Sequence, residues 1–254
     1  MGFLWYDLTH SLDDPKATAS HREIIKSKPF LKKLYEEWYT IFNDATQSLG
    51  DRTLLEIGSG GGFLKEIYPH FVTSDITPFE WCDMTFPAES IPFEDYSLGG
   101  IVMLNVLHHI PDPRNFFKEA QRTLSHGGKI IMIEPGNSLF SRFIYKNFHH
   151  EPFDPHSKKW EIDSTGPMSG ANGANPWIIF ERDRMQFEKE FPNLIIKRKK
   201  NHTPFRYLLS GGVSMKALVP SGSFNFFKKV EKIISPLDSA LGMFVTIEIE
   251  KINR

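Results

Sequence analysis

Short apolar runs alternate with helical patterns through the middle of the chain. Four runs have the length and the apolar content of buried strands: Thr53 to Ile57, Phe71 to Asp75, Ile101 to Asn105 and Lys129 to Ile133. An Asp-Pro pair, which is a typical helix start, precedes the last of them. Strands that alternate with helices predict a doubly wound α/β fold, in which a mostly parallel sheet is covered by helices on both faces.

The two ends of the chain add to this pattern. Apolar residues recur every three or four positions between Pro29 and Gly50, which predicts an amphipathic N-terminal helix. Further helices are predicted over Phe180 to Phe191 and Phe224 to Ile234. The final run, Met243 to Ile249, alternates apolar with polar positions. Such alternation suits an antiparallel strand with one face in water.

Composition and charge narrow the choice of partners. The 254 residues carry a formal net charge of −1, which gives no long-range field, so we expect no nucleic-acid partner. The single cysteine, Cys82, excludes an intrachain disulfide and favours a cytoplasmic location. No stretch approaches the roughly 20 apolar residues that span a bilayer, so we expect no integral membrane contact. Nothing in the sequence favours a monomer over a dimer.

A glycine cluster follows the first predicted strand. After Glu56 the sequence reads Ile-Gly-Ser-Gly-Gly-Gly, and Asp75 closes the next strand. Glycines let the backbone approach a bound nucleoside closely, and an acidic side chain at the second strand's tip can accept both ribose hydroxyls. This spacing indicates a nucleoside cofactor, with a simple strand-to-helix turn as the alternative. Phe63 replaces the third glycine of the dinucleotide fingerprint, which disfavours a nicotinamide-dependent oxidoreductase.

Four motifs resemble, in order, those of class I S-adenosylmethionine-dependent methyltransferases. They are Glu56 to Gly62 with Asp75, Ala88 to Phe93, Leu104 to Ile110 and Leu124 to Lys129. The resemblance covers about residues 50–136 and implies a Rossmann-like, seven-stranded sheet whose last strand is antiparallel. The later motifs, including the one at residues 149–154, are similar to a bacterial branch of type 11-like methyltransferases.

The resemblance also implies roles for individual residues. Many relatives carry Asp before the Ala-Glu pair, where this chain has Pro87, which offers neither a carboxylate nor an N–H. We expect either Asp83 or packing with the Ala88 N–H to replace that contact with adenine. The implied cofactor-binding residues are Glu56, Gly58, Ser59 and Gly60 for the methionyl and ribose portion, Asp75 for the ribose diol, Ile76, Ala88 and Glu89 for adenine, and Leu104 and Asn105 for the methionyl and sulfonium end.

The candidate catalytic residues are histidines and a glutamate. Methyl transfer from a sulfonium is an in-line displacement in which positioning supplies much of the rate, so a base is optional. A histidine would suit a hydroxyl or protonated nitrogen acceptor. We expect His109, just past the fourth strand, to face the pocket as the candidate base. Structuring the turn before Pro111 is the commoner use of such a His108–His109 pair.

A long irregular segment, residues 137–179, supplies the other candidates. Its length predicts a functional lid. His149, His150 and Glu151, with Asp154 and His156, invite a metal interpretation. Adjacent residues in an irregular loop rarely face one ion, so we expect no metal. A lid in which His150 and Glu151 contact the acceptor fits better.

These observations predict one domain, residues 1–254, and one activity. The domain would contain an N-terminal helical cap (1–50), a cofactor-binding half (51–136), the lid insertion (137–179) and the C-terminal part of the sheet (180–254). We predict an enzyme that transfers a methyl group from S-adenosylmethionine to a small molecule, a glycan or a lipid-linked precursor. A non-catalytic ligand-binding or scaffold protein with the same fold is the alternative, because proline replaces the usual adenine-contacting Asp.

Overall fold

A seven-stranded sheet is the main element of the computed structural model, which describes residues 13–149, 151–163, 166 and 170–253. Its strands are β1 (Thr53–Ile57), β2 (Phe71–Asp75), β3 (Met84–Thr85), β4 (Leu98–Leu104), β5 (Leu124–Pro135), β6 (Leu194–His202) and β7 (Phe244–Lys251). They lie in the order β3-β2-β1-β4-β5-β7-β6.

The helical segments of the described residues connect and cover these strands. The α-helices are α1 (Pro15–Ser27), α2 (Pro29–Thr46), α3 (Leu64–Ile67), α4 (Pro113–Thr123), α5 (Leu139–Phe148), α6 (Asn175–Trp177), α7 (Arg184–Glu190), α8 (Arg206–Ser210), α9 (Phe224–Ile234) and α10 (Asp238–Leu241). Short 3-10 turns cover Gln47–Leu49, Leu107–His109, Ser221–Ser223 and Ser235–Leu237, and Ile178–Arg182 is π-helical. None of the described helices combines the length and the apolar character needed to cross a membrane.

The strand directions confirm the predicted doubly wound sheet with an antiparallel last strand. β1 to β5 pair in parallel, whereas β7 runs antiparallel to both β5 and β6. The alternation of polar and apolar positions in the sequence of β7 therefore predicted correctly that this strand is antiparallel. β4 and β5 lie in the interior, where Val102 and Ile131 are fully buried, as their continuous apolar sequence predicts.

The N-terminal helices close one side of the sheet's carboxyl edge. Pro29 begins α2, and the predicted apolar stripe of this helix is buried. Within the stripe, the ring of Trp38 packs on that of Phe244, with 4.9 Å between the ring centroids. On the same helix, the Tyr39 hydroxyl accepts a hydrogen bond from the Phe63 N–H at 2.9 Å. This contact holds α2 against the end of the glycine cluster.

The prediction that residues 137–179 are irregular was wrong at their start. α5 occupies Leu139–Phe148, and the Ser138 hydroxyl caps it by accepting the Ser141 N–H at 3.0 Å. Leu139 and Phe143 point into solvent, with 75% and 57% of their surface exposed. Apolar residues on the exposed side obscure the amphipathic pattern by which this helix could have been found.

Candidate active site

The carboxyl ends of the parallel strands open into a cavity of about 510 Å³. This is where ligands bind in open α/β sheets. Residues from α1 and α2 line one side of it, and residues 149, 151, 152 and 153 line another. All the candidate cofactor-binding and catalytic residues line the cavity except His150, which lies outside the described residues.

The glycine turn brings bare main chain to the cavity wall. Gly58 and Gly60 have φ angles of 70° and 48°, which residues with a side chain rarely adopt. A Cβ on Gly58 would lie 2.6 Å from Cγ2 of Val106, so no side chain fits there. The Ser59 N–H donates to the Ser74 carbonyl at 2.9 Å. The turn is thereby fastened to β2 while its peptide groups line the cavity.

Asp75 connects the tip of β2 to this turn. Its Oδ2 accepts the Gly60 N–H at 2.8 Å, and its Oδ1 accepts the Thr77 N–H at 2.9 Å. Burial raises the pKa of Asp75, and these backbone N–H groups partly offset that rise. Each carboxylate oxygen has a further acceptor site beyond the bond described. Asp75 can therefore fix the turn and still accept hydrogen bonds from a ligand.

Glu56 is a buried carboxyl group on the same wall. It is 3% exposed, and its Oε2 accepts a hydrogen bond from the Ser59 hydroxyl at 2.5 Å. Burial raises the pKa of Glu56 to about 7; the Ser59 bond lowers it, the charge of Asp75 raises it and that of Arg22 lowers it. A carboxyl group that is costly to ionise here would gain from a cationic ligand beside it.

The stability of the protein should therefore fall as Glu56 ionises. Its pKa in the folded state, about 7, lies above the ordinary value of 4.5, so the folded state binds the proton more tightly. Stability from this group is greatest below pH 4.5 and is lost as pH rises through 7. Urea denaturation should find Glu56→Gln more stable than wild type at pH 8, by up to about 3 kcal/mol, and similar at pH 5. A constant difference between the two pH values would contradict this assignment.

On the adenine side of the predicted site, one of the expectations was wrong. Ile76, Ala88 and Glu89 line the cavity, and Oε1 of Glu89 also accepts the Asp112 N–H at 3.3 Å. Asp83, expected as one replacement for the missing adenine contact, contacts Lys65 and accepts the Thr73 N–H at 2.9 Å, outside the cavity. That option was wrong, because the Asp83 carboxylate is used to hold β2.

Leu104 and Asn105 line the cavity where β4 ends. Asn105 adopts a left-handed φ of 56°, which Asn tolerates better than most residues, and its N–H donates to the Ile133 carbonyl at 2.8 Å. Its side-chain Oδ1 is buried and finds no hydrogen-bond partner among the residues that the structure describes. A buried acceptor without a donor is costly, so Asn105 is suited to meet a donor on a ligand.

A group of four side chains, His108, His109, Glu134 and Glu151, forms a histidine–carboxylate cluster beyond Asn105. Glu134, from β5, is fully buried; its Oε1 accepts the N–H groups of Val106 and Leu107 at 2.8 Å each. Its Oε2 lies 2.7 Å from Nδ1 of His108. Nδ1 of His109 lies 3.1 Å from the Gly170 carbonyl oxygen. The cluster thus joins β5, the turn after β4 and the 137–179 segment.

The two histidines carry opposite pKa shifts. Burial lowers the pKa of His108, but the hydrogen bonds and charges of Glu134 and Glu151 outweigh it and raise the value to about 9. Burial and then the charge of His108 lower the pKa of His109 to about 4, so its ring is neutral at pH 7. The neighbouring histidines hold the Glu151 carboxyl ionised by keeping its pKa well below the usual range, despite burial.

Sequence reasoning missed how Glu151 and Glu134 combine with the histidine pair. His109 both contacts a backbone carbonyl and lines the cavity, so the two alternatives for this residue coexist. The Asn172 N–H donates to the His108 carbonyl at 2.9 Å, and the Gly173 N–H donates to the Pro152 carbonyl at 2.9 Å. The first bond holds the 137–179 segment against the turn, and the second joins two parts of the segment itself. The position of Glu134 at the carboxyl end of a predicted strand was the available signal.

Known proteins share the domain and the fold. Residues 55–132 match a family model described as a methyltransferase domain. No curated protein sequence matches the chain. One similar structure is geranyl diphosphate C-methyltransferase from Streptomyces coelicolor A3(2), in complex with Mg²⁺, geranyl diphosphate and S-adenosyl-L-homocysteine; the TM-score is 0.52 at 14% identity, over 95% of this chain and 87% of that one.

Two other similar structures agree in architecture. A geranyl diphosphate methyltransferase in complex with S-adenosylmethionine has a TM-score of 0.51 at 12% identity, over 96% of this chain and 94% of that one. A chain in a complex that contains a methyltransferase activator of Haloferax volcanii has a TM-score of 0.52 at 11% identity, over 96% and 100%. At such identities the structures establish a shared fold, and they support the architecture predicted from the motifs.

Proposed function

We propose that the chain is a class I S-adenosylmethionine-dependent methyltransferase and that it transfers the cofactor's methyl group to a small molecule, a glycan or a lipid-linked precursor; its match to a methyltransferase domain model and its fold support this. The observation that carries the proposal is the bare glycine turn beside Asp75, on the wall of a cavity that continues to the histidine–carboxylate cluster. One cavity can therefore accommodate the cofactor and the acceptor together.

The cofactor would lie along the carboxyl ends of β1, β2 and β4. Asp75 would accept the ribose hydroxyls, and the Gly58 to Gly60 main chain would face the ribose and methionyl portion, where Glu56 offers a carboxylate to the amine. Ile76, Ala88 and Glu89 would contact adenine; Leu104 and Asn105 would contact the methionyl and sulfonium end. When bound, S-adenosylmethionine supplies a methyl group already activated by the sulfonium.

The acceptor would lie against His109 and Glu151. An in-line displacement depends mainly on holding the acceptor atom opposite the sulfonium, which a partly closed cavity favours. His109 is neutral at pH 7 and Glu151 is ionised, so either group can accept a proton from an acceptor hydroxyl or ammonium. We propose that His150 and the rest of the 137–179 segment complete the acceptor side as a lid, and that the protein works in the cytoplasm without a nucleic-acid partner.

Calorimetric titration of the full chain with S-adenosylmethionine and S-adenosylhomocysteine tests the proposal. We expect both to bind at one site with Kd values between about 1 µM and 1 mM, the range of typical KM values. NAD serves as the control, because Phe63 interrupts the dinucleotide fingerprint, and it should not bind. Absence of binding at millimolar S-adenosylmethionine would instead favour a non-catalytic scaffold.

A further inference from the structure

The side chains of His108, His109 and Glu151 converge at one point beside the cavity. Nδ1 of His108 faces a Glu134 oxygen at 2.7 Å, and Nδ1 of His109 faces the Gly170 carbonyl oxygen at 3.1 Å. Both partners are acceptors, so both Nδ1 atoms carry the hydrogen. The Nε2 atoms of both rings then face the Glu151 carboxylate, and an Nε2 that binds a metal ion must first release any proton it carries. A positive species, either a proton or a metal ion, must lie among them.

The distances in this group favour a metal ion over a shared proton. Nε2 of His108 lies 3.4 Å from Oε2 of Glu151, and Nε2 of His109 lies 3.6 Å from its Oε1. Both separations exceed the usual 2.7–3.2 Å of an N–H···O hydrogen bond. Two ligand atoms that each lie about 2.1 Å from a tetrahedral ion are about 3.4 Å apart. Both separations between an Nε2 atom and the carboxylate are therefore close to the spacing of two ligand atoms around one ion.

We propose that His108, His109 and Glu151 bind one divalent transition-metal ion of the zinc or iron(II) type. Their ligand atoms all lie within 4.8 Å of one another, and two imidazoles with one carboxylate are a ligand set that these ions accept. Glu134 supplies the second layer of the site: it fixes the orientation and the tautomer of His108 in the way that carboxylates support metal-bound histidines.

The ion would have open positions toward the cavity. Three protein ligands leave at least one coordination position for another donor, and all three ligands line the cavity. If the proposed methyl transfer is correct, on which this step rests, the acceptor belongs to the class of molecules with an oxygen or nitrogen atom able to coordinate the ion. The ion would then hold that atom in place for the displacement, and His109, with its Nε2 on the ion, would act as a ligand in place of the base described above.

This site differs from the metal interpretation considered for the sequence. That interpretation concerned neighbours along the chain, from His149 to His156, and we expected no metal there. The structure instead combines Glu151 with two histidines that precede it by more than forty positions. The 3-10 turn at Leu107–His109 directs both imidazoles toward the Glu151 carboxylate. The two histidines can therefore share an ion although they are adjacent in the sequence.

Titration of the chelator-treated full chain with Co²⁺ tests the proposal through the visible absorption of the bound ion. We expect one equivalent to bind, with competition by Zn²⁺. Glu151→Gln and His109→Gln should each weaken Co²⁺ binding by more than about 100-fold, because each loses a direct ligand. Glu134→Gln should weaken it by about 10–100-fold, the usual effect of a supporting carboxylate. His156→Gln, an exposed histidine of the same segment, is the matched control and should bind as wild type does.

Two further measurements separate this proposal from the proposed methyl transfer. Azide added to the Co²⁺-loaded protein should change the absorption spectrum if open positions face the cavity. S-adenosylhomocysteine affinity, measured on every variant, shows whether each variant is folded and whether the cofactor site is intact. Retained cofactor binding without any Co²⁺ binding overturns the metal site alone and leaves a proton in the cluster. Retained Co²⁺ binding without cofactor binding overturns the methyltransferase proposal alone.

Discussion

Glu134→Ala should lower the free energy of unfolding by about 3–5 kcal/mol, because it removes the buried carboxylate that holds the turn after β4. The partly buried N–H of Val106 and the buried N–H of Leu107 would lose their acceptor, and Nδ1 of His108 would lose its partner. A hydrogen-bond donor that is buried without an acceptor costs desolvation energy, because no hydrogen bond offsets that cost. Urea denaturation of the chelator-treated protein measures the effect without any contribution from metal binding.

Two control variants show whether the loss comes from these hydrogen bonds. Glu134→Gln keeps an oxygen that can accept the Val106 and Leu107 N–H groups but turns an amide donor toward His108, so we expect a smaller loss of about 1–2 kcal/mol. Glu94→Ala removes an exposed carboxylate and should change stability by less than about 0.5 kcal/mol. Should Glu134→Ala stay within 1 kcal/mol of wild type, the carboxylate would not be what holds the turn.

The glycine turn and the place of Asp75 at the cavity could be predicted because their determinants are local. The glycine turn and Asp75 belong to consecutive strands, and the backbone freedom of glycine is read directly from the sequence. The same holds for the direction of β7, which its alternating residues indicated; the expected face in water was wrong, because Thr246 on the polar side is buried. In each case the pattern that fixes the structure lies within a few residues of the group it positions.

The histidine–carboxylate cluster could not be predicted because its contacts connect distant parts of the chain. Glu134 and His108 are 26 residues apart, and a run of apolar residues does not show which polar residue at its end points inward. Glu151 lies shortly after α5. The exposed apolar residues of α5 conceal this helix in the pattern of polar and apolar residues. Asp83 illustrates the same limit: its partners, Lys65 and Thr73, are set by how strands pair rather than by its neighbours.

Asp75→Asn should weaken S-adenosylhomocysteine binding by about 100-fold, equivalent to about 3 kcal/mol. The variant loses the charge and keeps a single oxygen, whereas a ribose diol needs two acceptors. The amide NH₂ of the variant would also point at the N–H of Gly60 or Thr77, so that two donors would face each other. Calorimetric titration gives the Kd, with Asp83→Asn as the matched control, because that carboxylate lies outside the cavity and its loss should change the affinity by less than about threefold.

A deoxy analogue of S-adenosylhomocysteine without the ribose hydroxyls separates the two roles of Asp75. If the carboxylate contacts the diol, wild type should bind the analogue far more weakly than the parent compound, and Asp75→Asn should bind the two ligands about equally. If Asp75 acts only by fixing Gly60, the variant should weaken both ligands by the same factor, because the damaged turn would be common to them. That second result would contradict the placement of the ribose beside β2 and, with it, the proposed path of the cofactor across the glycine turn.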